Sequence, residues 1–324
     1  MRALFPILVA AIVGVGATAP SALSAQAPTV AGCPVLNARS AWNQRVDSAP
    51  VAKDSAALIR AIGLTAGFHA DFGSGRWEGA PIGIPYTVVG GGQRRVKVSF
   101  GYGDESDRGP YPIPRNAPIE GGPRGDGDRH VLVVDRSACK LYELYDAHPR
   151  RGGASWRAGS GAIFDLRGGD LQRPRGWTSA DAAGLPILPG LARYEEVAAG
   201  AIEHALRFTA PRTRAAFVAP AQHFACDSRD RSLPPMGLRV RLKRSVSLRG
   251  LPPQARVIAV AMKRYGLLLA DNGSPWYVSG APHPRWDNDQ LHALDRLSGR
   301  DFEVVRPAGA ERRASSAGAE LASR

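Results

Sequence analysis

Three cysteines, three methionines and an aromatic share of 7% are little for a chain of 324 residues. With an odd number of cysteines, at most one internal disulfide can form, which excludes a disulfide scaffold. No C-x-x-C and no H-E-x-x-H spacing occurs, so the zinc sites built on those patterns are excluded. There is no Walker loop, no dinucleotide fingerprint after a strand and no G-x-S-x-G elbow. Nucleotide-driven and serine-hydrolase chemistry therefore have no anchor here. Beyond the first residues, no apolar run is long enough to span a bilayer.

What is present describes a globular, exported chain. Hydrophobic residues make up 44% and charged ones 22%, and 37 glycines with 26 prolines favour turns and short strands over long helices. Met1-Arg2, the apolar stretch Leu4 to Ala17 and the small residues of "TAPSALSAQA" form the three parts of a secretory signal peptide, expected over 1–27. "VAGC" at Val30 to Cys33 also has the form of a lipoprotein box, but it lies well beyond the apolar run. Export permits a disulfide, and Cys33–Cys139 is the expected pair, leaving Cys226 free in "HFACDSRDRS". The net charge of +13 is mostly arginine, spread out and interleaved with acids. That pattern reads as a solvated basic surface, without a nucleic-acid partner. The expected product is a secreted, extracellular or periplasmic monomer.

The hydrophobic pattern predicts a mainly β (β-rich α+β) fold: one sandwich-like domain over 28–306, with a few short peripheral helices and long loops. Residues 307–324 read as a disordered tail. "HVLVVD" and "CKLYELYD" predict a hairpin about "RSA". "IPYTVVG" and "RRVKVSF" predict another about Gly90-Gly91-Gly92, and "LLLAD" with "PWYVSG" a third over Asn272-Gly273. "HALRFTA", "AAFVAPA", "GLRVRLK" and "DFEVV" read as further strands. Helices are expected around Asp54–Ile62, over "LPPQARVIAVAMKRYG" and in "RWDNDQLHALDRLSG". The loops 101–129 and 165–190 are long enough to bind something.

Candidate site residues fall in those loops and at strand edges. "GYGDESDRGPYPIP" places Asp104, Glu105 and Asp107 within four positions, followed by Glu120, Asp126 and Asp128. Clustered carboxylates split one another's pKa values, as glycoside hydrolysis requires. The same oxygens suit a structural Ca²⁺, or the capping of local turns. In "FHADFGSGRWEG" an extended backbone would point His69 and Asp71 the same way, as a base with its orienting carboxylate or as two arms of a metal site. His130, His204 and His223 lie on predicted strands or strand edges. Trp77, Tyr102, Tyr111, Trp177 and Trp276 sit in or beside loops and are candidate sugar platforms, with core packing as the other role open to each.

The phrases "HADFGSG", "DESDRGPYPIPRNAPIEGG", "GWTSADAAGLPILPGL" and "DNGSPWYVSG" resemble an uncharacterised family of secreted bacterial proteins, a likeness running from Trp42 to Val305. The resemblance implies one intact exported domain and carries no activity with it. The expected function is a secreted carbohydrate-active enzyme, a glycoside hydrolase or polysaccharide lyase acting on an extracellular polysaccharide. His69, Asp71, Asp104, Glu105, Asp107 and His130 are its candidate catalytic residues, and it needs no cofactor. The alternative is a non-catalytic secreted or envelope glycan-binding protein, stabilised by calcium.

Overall fold

The computed structural model describes residues 27–170 and 172–306. The expected signal peptide, all but its last residue, and the expected tail lie outside the described residues.

Strands β1 (Thr29–Val30) and β2 (Cys33–Pro34) make a small ribbon at the start. Helix α1 (Ser55–Gly63) follows, burying Leu58, Ile59 and Ile62 on one face. Asp54 stands at its N-terminus without capping it, and its carboxylate instead pairs with Arg306 at 3.1 Å. After α1 come β3 (His69–Asp71) and a two-stranded hairpin of β4 (Arg76–Trp77) and β5 (Ala80–Pro81).

A four-stranded sheet comes next. β8 (Val131–Asp135) and β9 (Lys140–Tyr145) form the hairpin expected about "RSA". Its turn is tied by Asp135 Oδ1, which accepts from the Ser137 and Ala138 amides at 3.1 and 3.3 Å. β12 (Ser160–Asp165) flanks β9, and β6 (Tyr86–Val89) runs parallel to β8. The glycine run after β6 is thus not a hairpin turn. Gly91 donates to Ser137 Oγ and Arg136 donates to the Val89 carbonyl, so this stretch is spent on the β8–β9 turn. β7 (Lys97–Phe100) departs to pair in parallel with β11 (Ser155–Ala158), which also pairs with β10 (His148–Arg150).

A six-stranded sheet holds the larger core, in the order β17–β14–β15–β13–β16–β3. Its further members are β13 (Leu206–Ala210), β14 (Arg239–Leu242), β15 (Leu267–Asn272), β16 (Tyr277–Ser279) and β17 (Phe302–Val304). β15 and β16 do not pair with each other across Asn272-Gly273, because β13 lies between them. β13 is almost wholly buried, so its backbone groups need a partner on both sides. The 273–276 segment wraps its end: Gly273 donates to the Ala210 carbonyl and Trp276 to that of Thr209. "AAFVAPA" is irregular, with a single bridge between Phe217 and Met236.

Helix α3 (Pro253–Arg264) opens on its proline, where the missing N–H costs nothing, and buries Ile258, Ala261 and Met262 in the same core. Two short helices, α2 (Tyr194–Ala198) and α4 (Asn288–His292), complete the set among the described residues. Strands make up 27% and helices 14%, a β-rich α+β fold in one domain.

The segment 178–192 runs between the two larger sheets. Glu143 on β9, fully buried, accepts the Ile187 amide at 2.9 Å and that of Leu188 at 2.9 Å. Burial raises this carboxyl to about 7, although the two amides work to lower it. From the other side Ala183 donates to the Ala270 carbonyl, and Ala192 bridges to Gly280.

The expected disulfide is present. Cys33 and Cys139, with Cα atoms 5.4 Å apart, join β2 to the β8–β9 turn across a separation of 106 residues. Replacing both by serine is expected to cost about 2–4 kcal/mol. Urea denaturation of oxidised protein and of the double variant measures this directly.

Candidate functional site

The pairing of short strands at one edge of the larger sheet builds the site. β16 is antiparallel to β13, with Phe208 opposite Val278, and parallel to β3, with Tyr277 opposite His69 and Ser279 opposite Asp71. Paired residues share a face, so Arg207, Ser279 and Asp71 stand side by side, with Tyr277 and His69 as the adjoining pair. On the other flank of β13 the register with β15 slips between Phe208 and Thr209. That slip sets Asp271 opposite Thr209, on the face that carries Arg207. Without it Ala270 would occupy that place and Asp271 would point away.

Arg207 is the hub of this face, with its side chain only 4% exposed. Its Nε and Nη2 donate to Asp181 Oδ2 at 3.2 and 2.9 Å, its Nη1 donates to Ser279 Oγ at 2.8 Å, and Asp271 Oδ2 lies 3.6 Å from Nη2. The Asp181 side chain is 0% exposed and also accepts the Ala183 amide. Burial raises the Asp181 carboxyl against the pull of Arg207. Burial, with the charge of Asp181 next, pushes Asp271 up to about 7.

Glu120 and His130 approach the same place from the long loop. His130 Nδ1 is 2.5 Å from Glu120 Oε2, and its Nε2 is 2.9 Å from the Ala180 carbonyl. A carbonyl can only accept, so Nε2 carries a hydrogen. Burial works to lower His130, but the Glu120 charge and hydrogen bond outweigh it and raise the imidazole to about 9. Burial likewise works to raise Glu120, and His130 outweighs it, holding that carboxyl below its usual value. At neutral pH the pair is an imidazolium and a carboxylate. Its anionic end is the accessible one: His130 is buried and Glu120 is 25% exposed.

Glu120 opens into a cleft of about 1050 Å³. His69, Asp71 and Tyr277 line it from the sheet, residues 120–127 from the loop, and the β4–β5 hairpin from the far wall. That hairpin turns on Glu78 and Gly79, both at positive φ (51° and 82°), the two-residue turn that matches strand twist. It presents Trp77 with 72% of its surface exposed. The His69 and Tyr277 rings lie 4.3 Å apart. Although Asp71 is solvent-exposed, desolvation by the cleft walls raises its carboxyl from the ordinary value, against the lowering effect of His69, and the Glu120 charge adds to the rise. Two carboxylates of one cleft thus lean in opposite directions: Asp71 toward the protonated form, Glu120 toward the ionised one.

The carboxylates of the 101–114 loop do not line this cleft. Glu105 Oε2 accepts the Thr178 amide at 3.0 Å, and Asp107 Oδ2 accepts the Ile163 amide at 2.8 Å and pairs with the buried Arg173. Both fasten the loop to the 173–178 segment. Asp104 sits in a short 3₁₀ turn beside them. Tyr111 and Trp276 are fully buried and closed to any ligand. Tyr111 packs edge-on against Phe100 and Tyr142, and Trp276 stacks between Phe208 and Phe302. In place of sugar platforms, these two large side chains are core. Trp177 is half-buried under Arg173, and Tyr102 is exposed. His204 is buried against Glu196 and the Ala205 carbonyl, and His223 bonds the Ala182 carbonyl. Among the described residues no group of three or more His, Cys, Asp or Glu side chains is arranged to hold a metal ion.

Sequence reading placed Tyr277 among the loop aromatics and Asp271 at the start of a turn, but did not single out Asp181 or Arg207, or Glu120 apart from its loop neighbours. One signal was available: Arg207 interrupts the apolar run of "HALRFTA", and an arginine in a buried strand implies a carboxylate partner. Comparison with protein-family models, with curated proteins and with solved structures yields no match to this chain.

Proposed function

We propose that this chain is a secreted carbohydrate-active enzyme that hydrolyses an extracellular polysaccharide in the cleft between β3 and the β4–β5 hairpin. The observation that carries the reading is the pair of carboxyls Asp71 and Glu120 lining one cleft, the first raised and the second lowered from its ordinary value. Asp71 donates its proton to the glycosidic oxygen as the C–O bond breaks. Glu120, ionised, either takes a proton from the attacking water or attacks the anomeric carbon itself. His130 does not touch substrate; it positions Glu120 and keeps it charged. Trp77 and Tyr277 offer ring faces to the sugars. The disulfide and the signal-like N-terminus support export.

The test is product release from a broad panel of plant, algal and bacterial polysaccharides, followed by mass spectrometry. New oligosaccharides bearing the added water, absent with Asp71→Asn, are the expected result. Fragments lighter by one water would reassign the reaction to elimination. A glycan retained without fragments would make this a binding protein.

A further inference from the structure

The loop that begins at Glu120 is closed on itself. At its neck the Glu120 amide donates to the His130 carbonyl at 3.0 Å, beside the contact between the His130 ring and the Glu120 carboxylate. From that neck, residues 120–127 line the cleft. Gly122 brings the loop against the β4–β5 hairpin, where a side chain added to it would meet Ala80 Cβ at 3.4 Å. The position of this loop therefore sets the shape of the cleft and the surroundings of Glu120.

Arg129 fills the middle of the loop. It is 5% exposed, and the groups that accept its hydrogen bonds are backbone carbonyls. Its Nη1 donates to those of Gly122, Pro123 and Gly125 at 3.4, 3.3 and 2.5 Å, and its Nε to that of Ala147 at 3.2 Å. Three of the four belong to the cleft wall, and the fourth to the segment that follows β9. The Ala147 amide returns a bond to the Arg129 carbonyl at 3.2 Å, and the Asp146 amide donates to the Asp128 carbonyl at 2.8 Å, so the root of the arginine is fixed to the four-stranded sheet. A buried guanidinium ordinarily calls for a carboxylate, and this one is held by wall carbonyls instead. Its backbone has a φ of 52°, in the left-handed region that a non-glycine residue adopts where its surroundings enforce it. Gly125 completes the arrangement: a Cβ there would lie 2.6 Å from the Gly121 carbonyl oxygen, so the loop closes around the guanidinium only with glycine at that position.

We infer that Arg129 is a positioning residue: it staples 121–127 into a preformed wall, so that the substrate meets a rigid cleft with Glu120 fixed at its edge. Arg129 does not itself line the cleft and acts through the loop. Arg129→Lys keeps the charge but loses the fork that reaches the wall carbonyls and Ala147 together. Trypsin acting on the folded variant should cut after the exposed Arg124 about tenfold faster than in wild type, the scale of one lost charge-assisted hydrogen bond. On a polysaccharide that the wild-type protein cleaves, KM should rise about tenfold, because the substrate must now order the wall as it binds. Since His130 still holds Glu120, kcat and the pH profile should stay near wild type. This kinetic part rests on the carbohydrate reading above. Gly125→Ala leaves Arg129 in place but forces the loop apart at Gly121, so it should repeat both effects, and it serves as the test if Arg129→Lys does not fold. Unchanged cutting at Arg124, or faster cutting with an unchanged KM, overturns the positioning role while leaving the enzyme in place. A wild-type protein that cleaves nothing in the panel overturns the carbohydrate reading, and the tryptic result alone then decides the staple.

Discussion

Asp71→Asn is expected to slow glycan cleavage by about 10²- to 10⁴-fold, the usual contribution of a positioned general acid. The amide keeps the shape of the carboxyl but has no proton of suitable acidity to give to the leaving oxygen. Glu120→Gln should cost a similar factor, and the double variant little more than either alone, because the two groups serve one reaction. The pH dependence is the sharper check. Glu120 must be ionised and is held below the usual carboxylate range, so the acidic limb should fall below about 4.5. Asp71 must be protonated and is raised, so the alkaline limb should fall as pH climbs through its elevated value. The expected profile is a bell whose alkaline limb is lost in Asp71→Asn. Residual activity within about tenfold of wild type, with an unaltered profile, would remove Asp71 from the mechanism.

The second large effect is on stability. Arg207→Met should cost about 3–5 kcal/mol, because it leaves the Asp181 carboxylate buried without its cation and takes a donor from Ser279. For a domain of this size that corresponds to a fall in Tm of roughly 10 °C. The sign of the pH effect follows from Asp181. Its folded pKa is raised, so the folded form binds more protons than the unfolded one, and stability rises as pH falls through the interval between them. Loss of Arg207 widens that interval, so the variant should be less damaged at pH 5 than at pH 8. Adding Asp181→Asn to Arg207→Met should recover part of the loss by removing the stranded charge. A melting curve shifted by no more than two or three degrees, and equally at both pH values, would show that the network is not what holds β13 to the 178–192 segment.

Some of this was legible from local residue order. The β8–β9 hairpin, α1, α3 and β17 each depend on contacts within a few positions: alternating apolar residues, a proline at the first helical turn, a glycine at the stop. The Cys33–Cys139 pairing was the expected one because the third cysteine, Cys226, sits in the polar loop "HFACDSRDRS". His69 and Asp71 share a face because of the two-residue period of an extended strand, which the chain states on its own. The turns at Gly90–Gly92 and Asn272-Gly273 misled because a turn residue shows that the chain bends and says nothing about which strand waits on the other side.

The sequence by itself determined a β-rich domain and pointed to its disulfide, and it placed the carboxylates in the long 101–129 loop. Only the tertiary structure decided which of them share a cleft. Glu105 and Asp107 were drawn to Thr178, Ile163 and Arg173, whereas Glu120, thirteen residues beyond Asp107, was drawn to His130 and lines the cleft with Asp71. The physical reason lies in the pairing of distant strands. A one-residue slip between β13 and β15 turns Asp271 toward Arg207, and a three-residue match between β16 and β3 sets Asp71 beside Ser279. Both depend on residues some 60 to 210 positions apart in the chain, a separation at which local pattern carries no information about register.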